Sequence, residues 1–372
     1  MLKIIEYIRN NGLEKTINDF KLICKYYPSK ILLKYNQINS DMSLTEVREA
    51  RGLVLELNSW RILNLSFYKF FNSGESHAAK IDWDTAHVLE KLDGSLISCY
   101  YDDNDNTWYA ATTGTANGEG EVNNKLGTTF NDLFWDTVYN KYGLNPCLLN
   151  TDLVYMFELT TPYNIVVKPH GESSATLLAV RNRITLEEIA YNELGMVATS
   201  LGVPLVKRYD LNSGNVGKLL KTFENMTWHD EGYVVVDGKF DRIKIKNPAY
   251  VSAHHLKGKM ASHHIMGIIK SNEIDEFIAT FPERKDEIVR LKTNYDALIL
   301  KLEYVWVVLS KLRSKNITKE EKKKYATSVF NICQDMDVKE FTGLFFSLND
   351  GKVSSVKDYM LNYDDKKLYK ML

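Results

Sequence analysis

The spacing of hydrophobic positions changes twice along this chain. Up to about residue 45, Ile4, Ile5 and Ile8, then Phe20, Ile23 and Cys24, recur at helical intervals, so this stretch reads as helical and then irregular. From about 50 to 247 the pattern breaks into short β-rich runs at 51–57, 88–90, 96–101, 107–112, 153–160, 165–167, 176–180, 233–236 and 242–246. Turn signals fall between them, the strongest at Asp102 to Asn106 and at Asp237-Gly238. This predicts an α+β domain with mainly antiparallel sheets. After Pro248 the strand signals fade, and residues 304–312 and 319–336 carry helical periodicity. Thr318 and Glu321 form a capping-box signature ahead of the second run. The expected organisation is one domain over 1–249 and an all-α domain over 250–372, with the boundary near 247–252 and no internal repeat.

The most apolar stretch, 297–309, is interrupted by Lys301 and Glu303. It is too short and too charged to span a bilayer and reads as a core-facing helix. The N-terminus carries Lys3, Glu6 and Arg9 and lacks the apolar core of a secretory signal. The four cysteines (Cys24, Cys99, Cys147 and Cys333) are far apart, which suits reduced thiols better than disulfides or a zinc site. A cytoplasmic protein with no membrane association and no obligate protein partner is therefore expected. With 372 residues, 44% of them hydrophobic, the chain can bury two cores. Its net charge of -1, from 47 basic and 48 acidic residues, does not announce a polyanionic partner, so any such partner needs positive charge gathered locally.

The sharpest local signal is Lys91-Leu92-Asp93-Gly94-Ser95, a lysine at the end of a strand beside a tight Asp-Gly bend. Such a lysine has a fixed backbone and a reachable amine, and nearby cations must lower its pKa for it to attack as a nucleophile. Taken alone the motif equally describes a surface lysine before a hairpin turn. Arg242, Lys244 and Lys246 share one face of a strand while Ile243 and Ile245 share the other. With Asp237-Gly238 as a two-residue turn, Val236 faces Lys239 and Glu231 falls opposite Lys244. Charged strand faces are also common as solvated hairpins. Glu158 interrupts the apolar run Tyr155 to Leu159, so it sits at an exposed edge or is paired for a purpose. Arg51 opens an apolar strand, and Lys69 stands beside Phe70 and Phe71. A lysine, two carboxylates and several further cations together suit attack on a polyphosphate, where cations and Mg²⁺ neutralise charge and hold the leaving group. No Walker loop is present.

These residues resemble the covalent nucleotidyltransferase superfamily and, within it, the bacteriophage tRNA-repair RNA ligases of the T-even phage RNA ligase 1 type. Lys91 to Ser95 is similar to the first motif, Glu158 to the third, Glu231-Gly232 to the fourth and Lys244-Ile245-Lys246 to the fifth. Tyr35-Asn36, Ala50-Arg51-Gly52, Lys69 to Asn72, Tyr250, Lys324-Tyr325-Ala326 and Gly343 to Leu348 extend the likeness over nearly the whole chain. The resemblance implies a nucleotidyltransferase fold over 1–249 and a helical RNA-specificity domain over 250–372. It implies an ATP-dependent RNA ligase joining 3′-hydroxyl and 5′-phosphate ends through a lysyl-adenylate on Lys91 and an adenylated RNA 5′-end. The implied substrates are single-stranded RNA ends or cleaved tRNA, in the host cytoplasm if the source is viral. The catalytic group would be Lys91, Glu231, Lys244, Lys246 and Tyr250. Tyr35, Arg51, Lys69, Lys91, Asp93, Gly94, Glu158, Lys244 and Lys246 would contact ATP. Glu158, Glu231 and, through an alignment gap, Asp275 of the Asp275-Glu276 pair would serve Mg²⁺ (or Mn²⁺) directly or through water. One departure stands out: the family's basic residue before the glycine of the next strand is absent from Thr112-Thr113-Gly114-Thr115. A DNA ligase, a GTP-using capping enzyme and a catalytically silent RNA-binding protein remain open, although the first two usually carry a β-barrel where this chain reads as helical.

Other features carry less. His254-His255 and His263-His264 lack metal-ligand spacing and suit the surface or helix packing. The basic run from Lys311 through Arg313, Lys315, Lys319, Lys322, Lys323 and Lys324 suits phosphates or a solvated helix face equally, since Glu320 and Glu321 interrupt it.

Overall fold

The computed structural model describes residues 1–122, 127–163, 170–209, 215–227, 230–251, 265–271, 274–275, 278, 284–312 and 318–372. The chain divides into two compact units, Met1–Lys257 and Gly258–Leu372.

The first unit carries three sheets. One holds β1 (Leu22–Tyr26), β2 (Lys30–Tyr35), β3 (Arg51–Glu56) and β4 (Ile62–Asn64) in chain order, antiparallel throughout. The strands that follow are β5 (Phe71–Asn72), β6 (His87–Glu90), β7 (Ser95–Asp102), β8 (Thr107–Ala111), β9 (Leu153–Thr160), β10 (Ser174–Asn182), β11 (Arg208–Tyr209), β12 (Gly232–Val236) and β13 (Arg242–Lys246). The second sheet runs β10-β9-β7-β8 and is antiparallel. The third runs β11-β6-β12-β13-β5, parallel only between β13 and β5. The α+β class with mainly antiparallel sheets is thus as expected.

Alternating burial builds the cores. Ile97, Cys99, Tyr155, Phe157 and Leu159 pack with Leu133 and Phe134 on one face of the second sheet. Leu32 and Val54 of the first sheet meet Tyr100, Ala111 and Val154 of the second. In the third, Val88, Tyr233, Val235, Ile243 and Ile245 close over Leu219 and Phe223. A buried ion pair, Lys30 Nζ to Asp102 Oδ2 at 2.8 Å, ties β2 to the β7–β8 turn. Burying both charges is sustainable only because each has the other.

Several expectations need correction. The N-terminal stretch holds two helices, Lys3–Asn11 and Leu13–Phe20, but Ile23 and Cys24 lie on β1, not on a helix. Lys21 adopts a left-handed conformation (φ 53°) that ends the helical turn, and Tyr27 N–H to Lys30 O at 2.9 Å then closes a hairpin. The β-rich stretch also contains helices at Phe130–Asp136, Tyr191–Leu201 and Val216–Thr222. Each is only two or three turns long, too short to impose a visible period on its neighbours. The run at 165–167 lies outside the described residues.

The β12–β13 hairpin is also looser than a two-residue turn. Val236 pairs with Arg242 and Val234 with Lys244, so Glu231 is not opposite Lys244. The Asp237 carboxylate accepts from the backbone N–H groups of Lys239 and Asp241, at 2.9 and 3.0 Å, and Phe240 takes φ 64°. Capture of those amides by the aspartate stabilises a longer loop over the tight Asp-Gly turn.

Every element among the described residues of the second unit is a helix. Its longest helix, Lys285–Ser310, buries Ile288, Leu291, Tyr295, Ile299, Leu302, Val305 and Leu309 along one stripe. The helix Lys319–Asp335 starts at the expected capping box, with Thr318 and Glu321 satisfying each other's backbone N–H. Tyr325 packs edge-on against Phe346, with ring centroids 6.3 Å apart. Lys322, Lys323 and Lys324 are exposed, while Arg313 and Lys315 lie outside the described residues, as do the four histidines of 254–264. No helix among the described residues is long and apolar enough to cross a membrane.

Candidate active site

Lys91 occupies the point where the chain leaves the third sheet at β6 and enters the second at β7. Its backbone is anchored on both sides: Glu90 N–H donates to Lys207 O at 2.8 Å and Lys91 N–H to Gly232 O at 3.0 Å. The lysine side chain is 19% exposed, and its Nζ lies 2.5 Å from Oε1 of Glu231, which is 7% exposed. Strict alternation along β12 would put Glu231 on the side of Tyr233. Gly232 breaks that alternation at φ 135°, and a Cβ there would meet Ile245 O at 2.2 Å. The glycine therefore both permits the turn of the chain and lets β13 approach.

The Asp-Gly bend has its own constraint. A Cβ on Gly94 would lie 2.6 Å from Leu159 O, so the bend closes directly on β9. Asp93 is buried, and its carbonyl accepts from His170 Nε2 at 2.8 Å. Glu158 lies on β9, between β10 and β7, so it is not at a sheet edge. Burial pushes its carboxyl up to about 7. Lys91 pulls it down, Glu231 pushes it up, and Arg51 and a hydrogen bond from the Gly94 backbone pull it down again.

The cations gather around Lys244. Burial holds its ammonium well below the usual lysine range, and Lys69, Arg51, Lys91 and Lys246 add their repulsion. Lys244 Nζ and the Arg51 guanidinium stand 5.1 and 5.5 Å from the centroid of the Phe70 ring. Arg51 Nη1 is buried without a hydrogen-bond partner. An orphaned buried donor costs on the order of 1–3 kcal/mol, which an incoming anion would recover. Lys69 Nζ lies 5.6 Å from the Tyr35 ring centroid and 5.5 Å from that of Phe71.

A cavity of 440 Å³ joins these groups. Lys91, Gly94, Arg51, Glu158, Lys244, Thr112 and Thr113 line it with the apolar side chains of Phe70, Leu96, Leu178 and Val206. Lys69 lines a neighbouring cavity of 580 Å³, which shares Phe67, Phe70 and Arg242 with the first. The volume and the mixture of apolar slot and convergent charge suit a nucleotide. Among the described residues no three His, Cys, Asp or Glu side chains cluster as a metal cage. Glu158 and Glu231, close enough for one charge to act on the other, are the carboxylates a hard cation would share with phosphate oxygens.

Some residues singled out in the sequence are not part of the cavity lining. Lys246 pairs with Gly232 across the ladder but does not line the cavity. Tyr250 is 2% exposed, in the helical turn that follows β13. Asp275 is exposed on the second unit, and Glu276 lies outside the described residues. Arg242 shares the face of Lys244 but is neutralised by Glu188, with Nη1 to Oε1 at 3.0 Å and Nη2 to Oε2 at 2.5 Å. Arg181 pairs with the same carboxylate and donates to Ser66 O at 2.6 Å. Sequence reasoning missed this buried triad, although Arg181 interrupts an apolar run just as Glu158 does. Thr112 and Thr113 were singled out in the sequence only for the basic residue absent there; that they line the cavity comes from the fold.

Residues 49–250 match a family described as RNA ligase. An RNA ligase of Rhodothermus phage RM378 is 27% identical over 331 residues, covering 73% of this chain and 74% of that protein. A putative bifunctional polynucleotide kinase/RNA ligase of Autographa californica nuclear polyhedrosis virus is 27% identical over 312 residues, covering 77% of this chain and 43% of that longer protein. Among solved structures, an archaeal ATP-dependent RNA ligase superposes with a TM-score of 0.47 at 13% identity, covering 89% of this chain and 90% of that one.

Proposed function

The chain belongs to the RNA ligase family, and on that premise we propose that it seals RNA ends with ATP through a covalent adenylate on Lys91. The observation that carries this reading is the Lys91 amine fixed beside Glu231 and Glu158 in a cavity whose other wall holds Arg51 and Lys244. The Lys91 ammonium gives one proton to water, and its Nζ lone pair attacks the α-phosphorus of ATP. Pyrophosphate leaves with the electrons of the broken P–O bond, and a second N–H proton passes to water, giving a P–N bond to AMP. Arg51, Lys69, Lys244 and Lys246 neutralise the charge that builds on the phosphates, with Tyr35 beneath Lys69. Glu158 and Glu231 would hold Mg²⁺ or Mn²⁺, which supplies charge neutralisation at the phosphates when bound. An oxygen of an RNA 5′-phosphate then displaces Lys91, which regains its proton. A 3′-hydroxyl finally attacks the adenylated end and releases AMP. Asp93 and Gly94 shape the nucleotide's approach, and Tyr250 supports the sealing step from the turn that follows β13.

Residues 1–249 act as the adenylyltransferase domain in this reading. Residues 250–372 select the RNA, single-stranded ends or cleaved tRNA in the cytoplasm where repair is needed. The helical character of the described second unit favours an RNA ligase over enzymes with a β-barrel there.

The test is intact mass after incubation with ATP or GTP and Mg²⁺, beside the untreated protein and Lys91→Ala. A gain of one AMP, with ATP only and Lys91 only, is expected. Lys91→Ala should still seal pre-adenylated RNA in part. If Lys91→Ala seals 5′-phosphorylated RNA using ATP, the lysyl-adenylate is wrong.

A further inference from the structure

Around the Thr112-Thr113-Gly114 turn, which forms one wall of the cavity, stand three donors that have no partner among the described residues. The Arg51 Nη1 group is the first, buried and unpartnered. The second is the ammonium of Lys34, a half-buried residue that pairs with Arg51 across β2 and β3, where a register shift between Leu33 and Lys34 bends the strand. Lys34 Nζ lies 3.9 Å from the position a Cβ on Gly114 would take, beside Thr113. Its ammonium makes no hydrogen bond, ion pair or ring contact among the described residues. The third is the Thr113 hydroxyl, which is likewise uncommitted among the described residues. Its neighbours in the turn are occupied: Thr112 Oγ1 meets Thr115 Oγ1 at 2.7 Å and accepts from the N–H groups of Gly114 and Thr115, at 3.2 and 3.1 Å. Thr113 itself is pressed onto the first sheet, its Cα 2.8 Å from where a Cβ on Gly52 would stand.

An ammonium on a half-buried side chain, with no counter-charge among the described residues, is a ready partner for an anion. The triphosphate of ATP already has its cations in Arg51, Lys69, Lys244 and Lys246, which gather around Lys244, and Arg51 is released for a second anion once pyrophosphate has left. Lys34 is not among the groups that weigh most on Lys244 and stands instead beside the Gly114 turn. We propose that Lys34, with the Thr113 hydroxyl and Arg51 Nη1, holds the 5′-phosphate of the RNA strand while one of its oxygens attacks the adenylate. This rests on the reading of Lys91 given above. The phosphate contributes the attacking oxygen, the P–N bond to Lys91 breaks, and an anhydride between AMP and the RNA end forms. Lys34 exchanges no proton; it binds and orients.

The experiment compares full-length wild type, Lys34→Ala and Lys34→Arg, each checked for folding by its melting curve. Two quantities are read: AMP gained by the protein from ATP, and KM for a 5′-phosphorylated single-stranded RNA in the transfer of AMP. For Lys34→Ala the AMP gain should stay within roughly twofold of wild type while KM for RNA rises at least tenfold, on the order expected for one charged hydrogen bond. The slope of log affinity against log salt should shrink by about 0.7, the loss of one phosphate contact on a single strand. Lys34→Arg should restore most of the affinity. An unchanged KM in Lys34→Ala overturns the assignment, as does an equal loss of AMP gain, which would place Lys34 on the ATP phosphates. A wild type that never gains AMP removes the premise about Lys91, a result readily told apart from these.

Discussion

Lys91 Nζ and Glu231 Oε1 stand 2.5 Å apart, one from the junction of two sheets and the other from the residue before β12. The pair is mostly shielded from water, so each charge depends on the other. Removing Lys91 leaves Glu231 facing Glu158 with less compensation. Lys91→Met is therefore expected to destabilise the fold by on the order of 2 kcal/mol, with Glu231→Gln recovering most of this when combined with it. Urea unfolding of the two single variants and the double variant measures the coupling. Additive losses would mean the pair contributes nothing to the fold.

Glu158 gives a pH signature. Its carboxyl is raised in the folded chain to about 7, from an ordinary value of 4.5. Between these values the native state holds the proton more tightly than the unfolded chain does, so this group's contribution to stability falls as pH rises through the window. Glu158→Gln should remove that fall, on the order of 2 kcal/mol between pH 5 and 7.5. Unfolding midpoints at the two pH values decide it, and identical slopes for both proteins would show that the carboxyl is not raised.

How much of this was legible in the chain depends on the range of each interaction. β9 and β13 were readable to the residue because alternation and apolar runs are local. The capping box at Thr318 and Glu321 was readable for the same reason. The register of β12 on β13 was not, because Asp237 redirects the loop with its own carboxylate. The strands β1 and β2 were hidden by helical spacing that a single left-handed Lys21 interrupts. In the site, Lys91, Glu158 and Glu231 announced themselves as charges at strand ends or within apolar runs. Glu188 did not, although it neutralises Arg242 and so decides which cations remain for a ligand. Lys34 could not be singled out at all, since its meaning comes from Gly114, which lies far along the chain and is brought beside it only by the packing of two sheets.

Lys244 is placed for function at the expense of stability. Its ammonium is held well below the lysine range by burial and by four neighbouring cations. At pH values between its folded pKa and the ordinary 10.5 the unfolded chain binds more protons, so this group makes stability rise with pH. Lys244→Met should abolish that rise and gain about 1–2 kcal/mol at pH 7. The same variant should lose at least about a hundredfold in the rate of AMP gain from ATP, as when one preorganised donor is removed from a transition state. Melting curves at pH 7 and 9.5 and a time course of protein mass provide both numbers. A variant that is less stable and fully active would contradict the placement.

Gly232 is the hinge on which both Glu231 and Lys246 depend. Its φ of 135° is closed to side-chain-bearing residues without strain, and a Cβ would meet Ile245 O at 2.2 Å, Lys246 Cα at 2.9 Å and Asn247 N at 3.0 Å. All three contacts are backbone, so nothing flexible can yield; β13 must move away or β12 must straighten. Either response draws the Glu231 carboxylate from Lys91 or shifts Lys246 against its ladder partner. Gly232→Ala should thus cost roughly 2–4 kcal/mol of stability. It should also cost about a hundredfold in AMP gain per folded molecule, the scale of a misplacement near 1 Å. Counting only the folded fraction, from unfolding curves under the assay conditions, separates the two effects. If activity per folded molecule equals that of wild type, the glycine serves packing alone and the position of Glu231 is immaterial to the chemistry. If it falls with the adenylate yield while sealing of pre-adenylated RNA falls less, the bend at Gly232 sets the geometry around Lys91.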